Sequence, residues 1–183
     1  FKEGKISHYQ ASDPKHIIEY MDEKKERFEQ ILPQLLLKRS MSIEKSDVTL
    51  FKNIRGVKEL YFELLDAAGT EHLTLGSPKE SLMMGDAWWL GYHKKRISKG
   101  IHAKQIFNES LRDWVKRNRY NDKLSEIKFT VKGFEPLTEI VIRGEKIGII
   151  IWTEKPIGIL IYNKALANSY DKYFEIMWKT ARR

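Results

Sequence analysis

The chain has 183 residues, 42% of them hydrophobic, and its 33 Lys and Arg outnumber 25 Asp and Glu for a net charge of +8. That is room for one domain of ordinary size plus an extension, and the lack of any cysteine excludes disulfide frameworks, thiolate metal sites and cysteine nucleophiles together. No uninterrupted apolar run approaches the roughly 18 residues that cross a bilayer, and the charged N-terminus lacks the apolar core of a signal peptide, so a cytoplasmic protein without membrane contact is expected.

The first residues read FKEGKISHYQASDP. Gly4 serves a turn ahead of Ile6 and Tyr9, and Ser12-Asp13 before Pro14 announces a helix: a polar cap, then proline where its missing N–H costs nothing. From Pro14 to about Arg39, Ile17, Met21, Lys24, Phe28, Ile31 and Leu35 are spaced alternately by four and three residues, a heptad seam broken by one lysine. Such a helix either pairs with its symmetry mate, making a homodimer, or lies as an amphipathic helix on its own domain. Pro33 should kink or end it near Leu32.

After a polar joint at Ser40 to Ser46, strands and helices alternate. Val48 to Phe51 predicts a strand, Ile54 to Ala67 an amphipathic helix closed by Gly69, and His72 to Leu75 a strand ending in Gly76-Ser77-Pro78. A helix around Trp88 to Ser98, a strand from Ile101 to Phe107 and a shorter helix near Leu111 to Arg119 follow. Ile127, Phe129 and Val131 alternate with Lys128, Thr130 and Lys132, marking a strand with one wet face. Three close-set strands, Glu139 to Ile142, Lys146 to Trp152 and Ile157 to Tyr162, precede a helix from about Lys164 that buries Leu166, Tyr170, Phe174 and Met177 or Trp178. Early β-α units favour parallel pairing and late hairpins antiparallel pairing, so the expected fold is α/β: a mixed sheet covered by helices, preceded by a long coiled-coil-type helix.

The ordered series Tyr9-Gln10-Ala11, Asp13-Pro14, the long helix and then an α/β domain resembles the TrmB-like family of archaeal transcriptional regulators. The resemblance extends through Gly76-Ser77-Pro78, Arg96 to Ile101, Glu139 to Ile142, Gly158 to Asn163 and Phe174 to Trp178, where it is similar to one half of a phospholipase D fold. It implies a remnant of a winged-helix wing strand at 1–12, a dimerisation helix at 13–40 and an effector domain at 41–183, in a trimmed or proteolysed piece of a longer DNA-binding regulator. Lys2 and Lys5 would then lie near DNA, whose sequence would be read by the winged helix that the chain largely lacks.

The same resemblance raises the question of catalysis. Phospholipase D enzymes carry His-x-Lys-x4-Asp on a late strand, the histidine attacking phosphorus and the lysine stabilising phosphate charge. Here the corresponding stretch, Thr138 to Glu145, reads TEIVIRGE, without histidine or lysine, so no catalytic residue is expected. A rival match, His102, Lys104 and Glu109 in HAKQIFNE, lies on an early strand; it implies a phosphodiesterase or nuclease with a dimer-shared site, against chance polar residues on a strand.

The five histidines show no paired metal-ligand spacing and no glycine-rich phosphate loop follows a strand, so neither metal nor cofactor is expected. Glu135, Glu139 and Glu145 read as solvated turn and strand-edge charge, and Gly144 and Gly148 as hairpin punctuation. The runs His93, Lys94, Lys95, Arg96, Lys99 and Arg112, Lys116, Arg117, Arg119 read as exposed helix faces in preference to anion sites. For a small-molecule effector, the carboxyl ends of the parallel strands offer Gly76, Ser77 and Asn108, with Trp88, Trp89 and His93 within reach; adjacent tryptophans on a helix are not expected to share one core. A dimerisation scaffold without any ligand is the remaining alternative.

Overall fold

The computed structural model describes residues 2–3, 6–7, 13–42, 48–119 and 123–183. The chain divides into two units, Phe1–Lys45 and Ser46–Arg183.

In the first unit, β1 (Lys2–Glu3) and β2 (Ile6–Ser7) form an antiparallel pair, and α1 spans Lys15–Ser42. Lys5 and Tyr9-Gln10-Ala11, which carry the wing reading, lie outside the described residues. Asp13 starts α1 as its sequence predicts, with Oδ1 accepting from the Lys15 backbone N–H at 2.9 Å. Pro33 does not end the helix: α1 continues through it to Ser42. Proline removes one backbone bond there and costs about 3 kcal/mol, which the uninterrupted turns on both sides outweigh. Ile17, Met21, Phe28, Ile31 and Leu35 are all between 46% and 65% exposed, and Lys24 carries its ammonium 5.1 Å from the Tyr20 ring centre.

The second unit is built on a seven-stranded mixed sheet. In chain order its elements are β3 (Val48–Lys52), α2 (Asn53–Leu65), β4 (Glu71–Ser77), a 3-10 turn at Lys79–Met84, α3 (Asp86–Ser98) and β5 (His102–Phe107). A second 3-10 turn at Glu109–Leu111, α4 (Arg112–Arg119), β6 (Ser125–Phe129), β7 (Thr138–Arg143), β8 (Lys146–Ile151), β9 (Ile157–Tyr162) and α5 (Lys164–Thr180) complete it. The strand order is β3-β9-β8-β7-β4-β5-β6, with β4, β5 and β6 mutually parallel and every other pairing antiparallel. β3 departs from the parallel pairing expected of an early strand. It crosses to the far edge and runs antiparallel to β9, so α2 lies across the hairpin strands before the chain enters β4.

Each face of the sheet has its own core. On one face Val57, Leu60, Tyr61, Leu64 and Leu65 of α2 pack with Trp89 and Tyr92 of α3 over Val141, Ile150, Trp152 and Leu160. On the other, Ala167 and Phe174 of α5 cover Leu73, Ile106, Ile142 and Ile147. Gly148 and Gly158 sit within strands, not turns, and let α2 approach the sheet: a Cβ at Gly158 would lie 2.6 Å from Leu60 Cδ1, and one at Gly148 2.9 Å from Leu64 Cδ1. Among the described residues no helix is long and apolar enough to cross a membrane.

Candidate functional site

β4 puts His72 and Thr74 on the α2–α3 face of the sheet, and strict alternation would send Ser77 to the opposite one. A bulge at Gly76 prevents that. Its φ of +79° is open to glycine, the register to β5 shifts between Leu75 and Ser77, and Ser77 lands opposite Phe107 on the same face as Thr74. β5 adds Gln105, paired with Thr74, and β7 adds Glu139, which shares its face with Val141. The α-helices close over this polar row with aromatic rings.

Glu139 is at the centre. It is 2% exposed, and its carboxylate accepts three hydrogen bonds: Tyr61 Oη to Oε1 at 2.8 Å, Ser77 Oγ to Oε2 at 3.0 Å, and Trp152 Nε1 to Oε2 at 2.9 Å. Burial pushes its pKa up to about 6, and the three donors pull in the opposite direction without cancelling that. Burial, with the adjoining carboxylate, holds the Tyr61 phenol well above its usual range, so it remains a neutral donor. Tyr61 meets Trp89 and Tyr92 edge to face, each at 5.2 Å, and Trp89 stacks on His93 at 5.9 Å. Trp89 also donates from Nε1 to Ser81 O at 3.0 Å, fixing the first 3-10 turn over the end of β4. The pocket so enclosed has a free volume of about 10 Å³ for the centre of a water-sized sphere, room for about one water.

Of the ligand candidates read from the sequence, Ser77, Trp89 and His93 line this pocket. Gly76, Trp88 and Asn108 do not: Gly76 acts through the bulge, and Asn108 donates from Nδ2 to Pro136 O at 2.9 Å. Trp88 is nonetheless part of the same core as Trp89. The two rings are 4.9 Å apart and both contact Tyr61 and Tyr92, because Trp88 reaches sideways and stacks on Tyr92 at 5.4 Å. Sequence reading missed Glu139, Tyr61, His72, Thr74, Gln105 and Tyr92. Glu139 is no strand-edge charge, since β7 is flanked by β4 and β8; a carboxylate alternating with Val141 in TEIVIR was the available signal.

The first basic run is not one exposed face. Trp89, Tyr92, His93 and Arg96 recur at helical spacing and are all buried, whereas Lys94, Lys95 and Lys99 are exposed. In the second run Lys116 and Arg117 are exposed, and Arg112 forms an ion pair with Glu109 at 2.6 Å while lying over the Phe129 ring. The side chain of Arg119 lies outside the described residues. His102 and Lys104 share the opposite sheet face from Glu139, with Lys104 3.6 Å from Glu71 and 4.0 Å from Glu175. Among the described residues no group of three His, Cys, Asp or Glu side chains is placed to hold a metal ion.

No protein-family model matches the sequence, and no curated protein does. Solved structures do share the fold. TrmBL2, described as an archaeal chromatin protein with a novel mode of DNA binding, aligns over 92% of this chain with a TM-score of 0.56 and 14% identity. The chain spans 65% of the length of TrmBL2. Nuc from Salmonella typhimurium, a phospholipase D family member, aligns over 74% of this chain and 95% of its own, with a TM-score of 0.52 and 14% identity. NucT from Helicobacter pylori aligns over 74% of this chain and 97% of its own, with a TM-score of 0.56 and 12% identity. The sheet unit is therefore a phospholipase-D-like α/β fold.

Proposed function

We propose that the chain is the effector-sensing and dimerising region of a DNA-binding transcriptional regulator, and that its sheet domain performs no phosphodiester chemistry. One observation carries the reading. On β7, the strand expected to hold the nucleophilic histidine and the phosphate-binding lysine, the residue facing the pocket is Glu139, a buried carboxylate held by three donors. A carboxylate there repels a phosphate and offers it no cation, the reverse of what phosphoryl transfer needs.

The TrmBL2 likeness, which extends over most of the chain, supports DNA as the partner of the whole protein. Two copies of α1 paired along Ile17, Met21, Phe28, Ile31 and Leu35 would set the distance between two DNA-reading domains. A ligand in the Glu139 pocket that favours one arrangement would shift that distance, and so the half-site spacing bound.

Two measurements test this. Sedimentation at micromolar concentration should give a dimer, and the double substitution of Phe28→Glu and Ile31→Glu should give a folded monomer; a monomeric native chain removes the mechanism. Incubation with bis(p-nitrophenyl) phosphate or DNA should give no turnover. Hydrolysis abolished by His102→Ala would replace the regulatory reading with the nuclease one.

A further inference from the structure

We infer that the pocket around Glu139 is a receptor for a small ammonium cation, either the free ion or the terminal group of an alkylamine. The inference rests on the proposed role of that pocket as the effector site and names the chemistry of its ligand.

Charge comes first. Glu139 is enclosed, and no lysine or arginine lines the pocket with it. The next cation along the same face of β7 is Arg143, four residues on at the end of the strand, which reaches Glu71 O at 3.4 Å. Tyr61, Ser77 and Trp152 supply dipoles that orient the carboxylate but bring no counter-charge, and the pocket's other ionisable nitrogen groups are the imidazoles of His72 and His93. A small cation in contact with it would supply a full counter-charge without needing either imidazole to be protonated.

The walls and the volume narrow the cation. Tyr61, Trp89, Tyr92, Phe107 and Trp114 line the pocket; Trp89 is stacked on His93 and Tyr92 on Trp88, and any ring face left open to the pocket attracts a desolvated cation through its quadrupole. The hydroxyl of Thr74 and the amide of Gln105 lie in the same lining, oxygens of the kind that accept from N–H donors. Free space for about one water fits an ammonium head alone; the carbon of an alkylamine needs a lining side chain to give way, and a quaternary ammonium, a saccharide or a phosphate ester needs far more. Acid should oppose binding. Protonation of Glu139 removes the attraction, and any charge gained by His72 on β4 or His93 on α3 adds repulsion, while the Tyr61 phenol, held well above its usual range, stays neutral.

The test is a titration of the native chain at pH 7.5 with ammonium, methylammonium, tetramethylammonium and sodium chlorides at matched ionic strength, read by tryptophan fluorescence and by Tm. Ammonium or methylammonium should give a saturable fluorescence change and a higher Tm. A response to methylammonium alone assigns the alkylamine; a response to ammonium alone assigns the free ion. Tetramethylammonium should act as sodium does, and Glu139→Gln should abolish the specific response. If that variant does not fold, the native chain at pH 4.5 decides, where the response should fall at least tenfold. Equal responses to all four salts, or one that survives Glu139→Gln or pH 4.5, overturn the inference. A chain that ignores both ammonium and methylammonium but sediments as a dimer loses this ligand and keeps the regulatory reading. One that binds ammonium as a monomer keeps the pocket and loses the regulator.

Discussion

Arg96→Met should lower the free energy of unfolding by about 4 kcal/mol, the largest single-site loss expected outside the apolar core. Arg96 is wholly buried near the end of α3 and bonds two other segments: Nη1 donates to Ile101 O and, at 3.0 Å, to Leu124 O, while Nη2 donates to Ser125 Oγ at 2.7 Å. It thus ties the helix to the starts of β5 and β6. Methionine fills similar space but removes three hydrogen bonds from a charged donor, worth about 1.5–3 kcal/mol each; Leu124 O keeps the Ala103 N–H at 2.8 Å, and the loss is partly offset because no guanidinium need be desolvated. Arg96→Lys should recover little, since one ammonium cannot reproduce a planar fork spanning two segments. Urea denaturation with an unchanged m-value checks this; a loss below about 1 kcal/mol would mean these bonds do not hold the strands.

Glu139→Leu is the second large effect, and its size depends on pH. At pH 7.5 it strands three buried donors, at about 1–3 kcal/mol each, and removes the penalty of burying a charge. A pKa raised from 4.5 to about 6 corresponds to a penalty of about 2 kcal/mol. The net loss is then about 3 kcal/mol. The sign of the pH dependence follows from the direction of the shift. The folded state binds the proton more tightly than the unfolded state, so this group's contribution is most favourable below pH 4.5 and is lost as pH rises through about 6. Native stability minus that of Glu139→Gln should therefore fall by about 2 kcal/mol between pH 4.5 and 7.5, a subtraction that cancels the histidines common to both. A flat difference would show that the carboxylate is solvated.

Much of the architecture was legible because helices and strands leave different periods in the sequence. TEIVIR and KIGIII read as strands, and the Asp13-Pro14 start of α1 is a local signal. The errors also have local causes. Arg96 and His93 sit in a run of basic residues, and composition masked the 89-92-93-96 spacing that puts them inward. Pro33 is a strong breaker in isolation, yet α1 is long enough to carry one missing bond.

The sequence by itself determined the order of elements, the lack of a histidine and a lysine on the late hairpin strand, and the heptad spacing of α1, since each is a property of neighbours along the chain. Only the tertiary structure decided that Ser77 faces the pocket, because that depends on a one-residue bulge at Gly76. Only it decided that β3 joins β9, and that Glu139 meets Tyr61 from 78 residues away and Ser77 from 62. Burial and the pKa shift it causes are sums over atoms distant in sequence, so a carboxylate that reads as surface charge became the centre of the site.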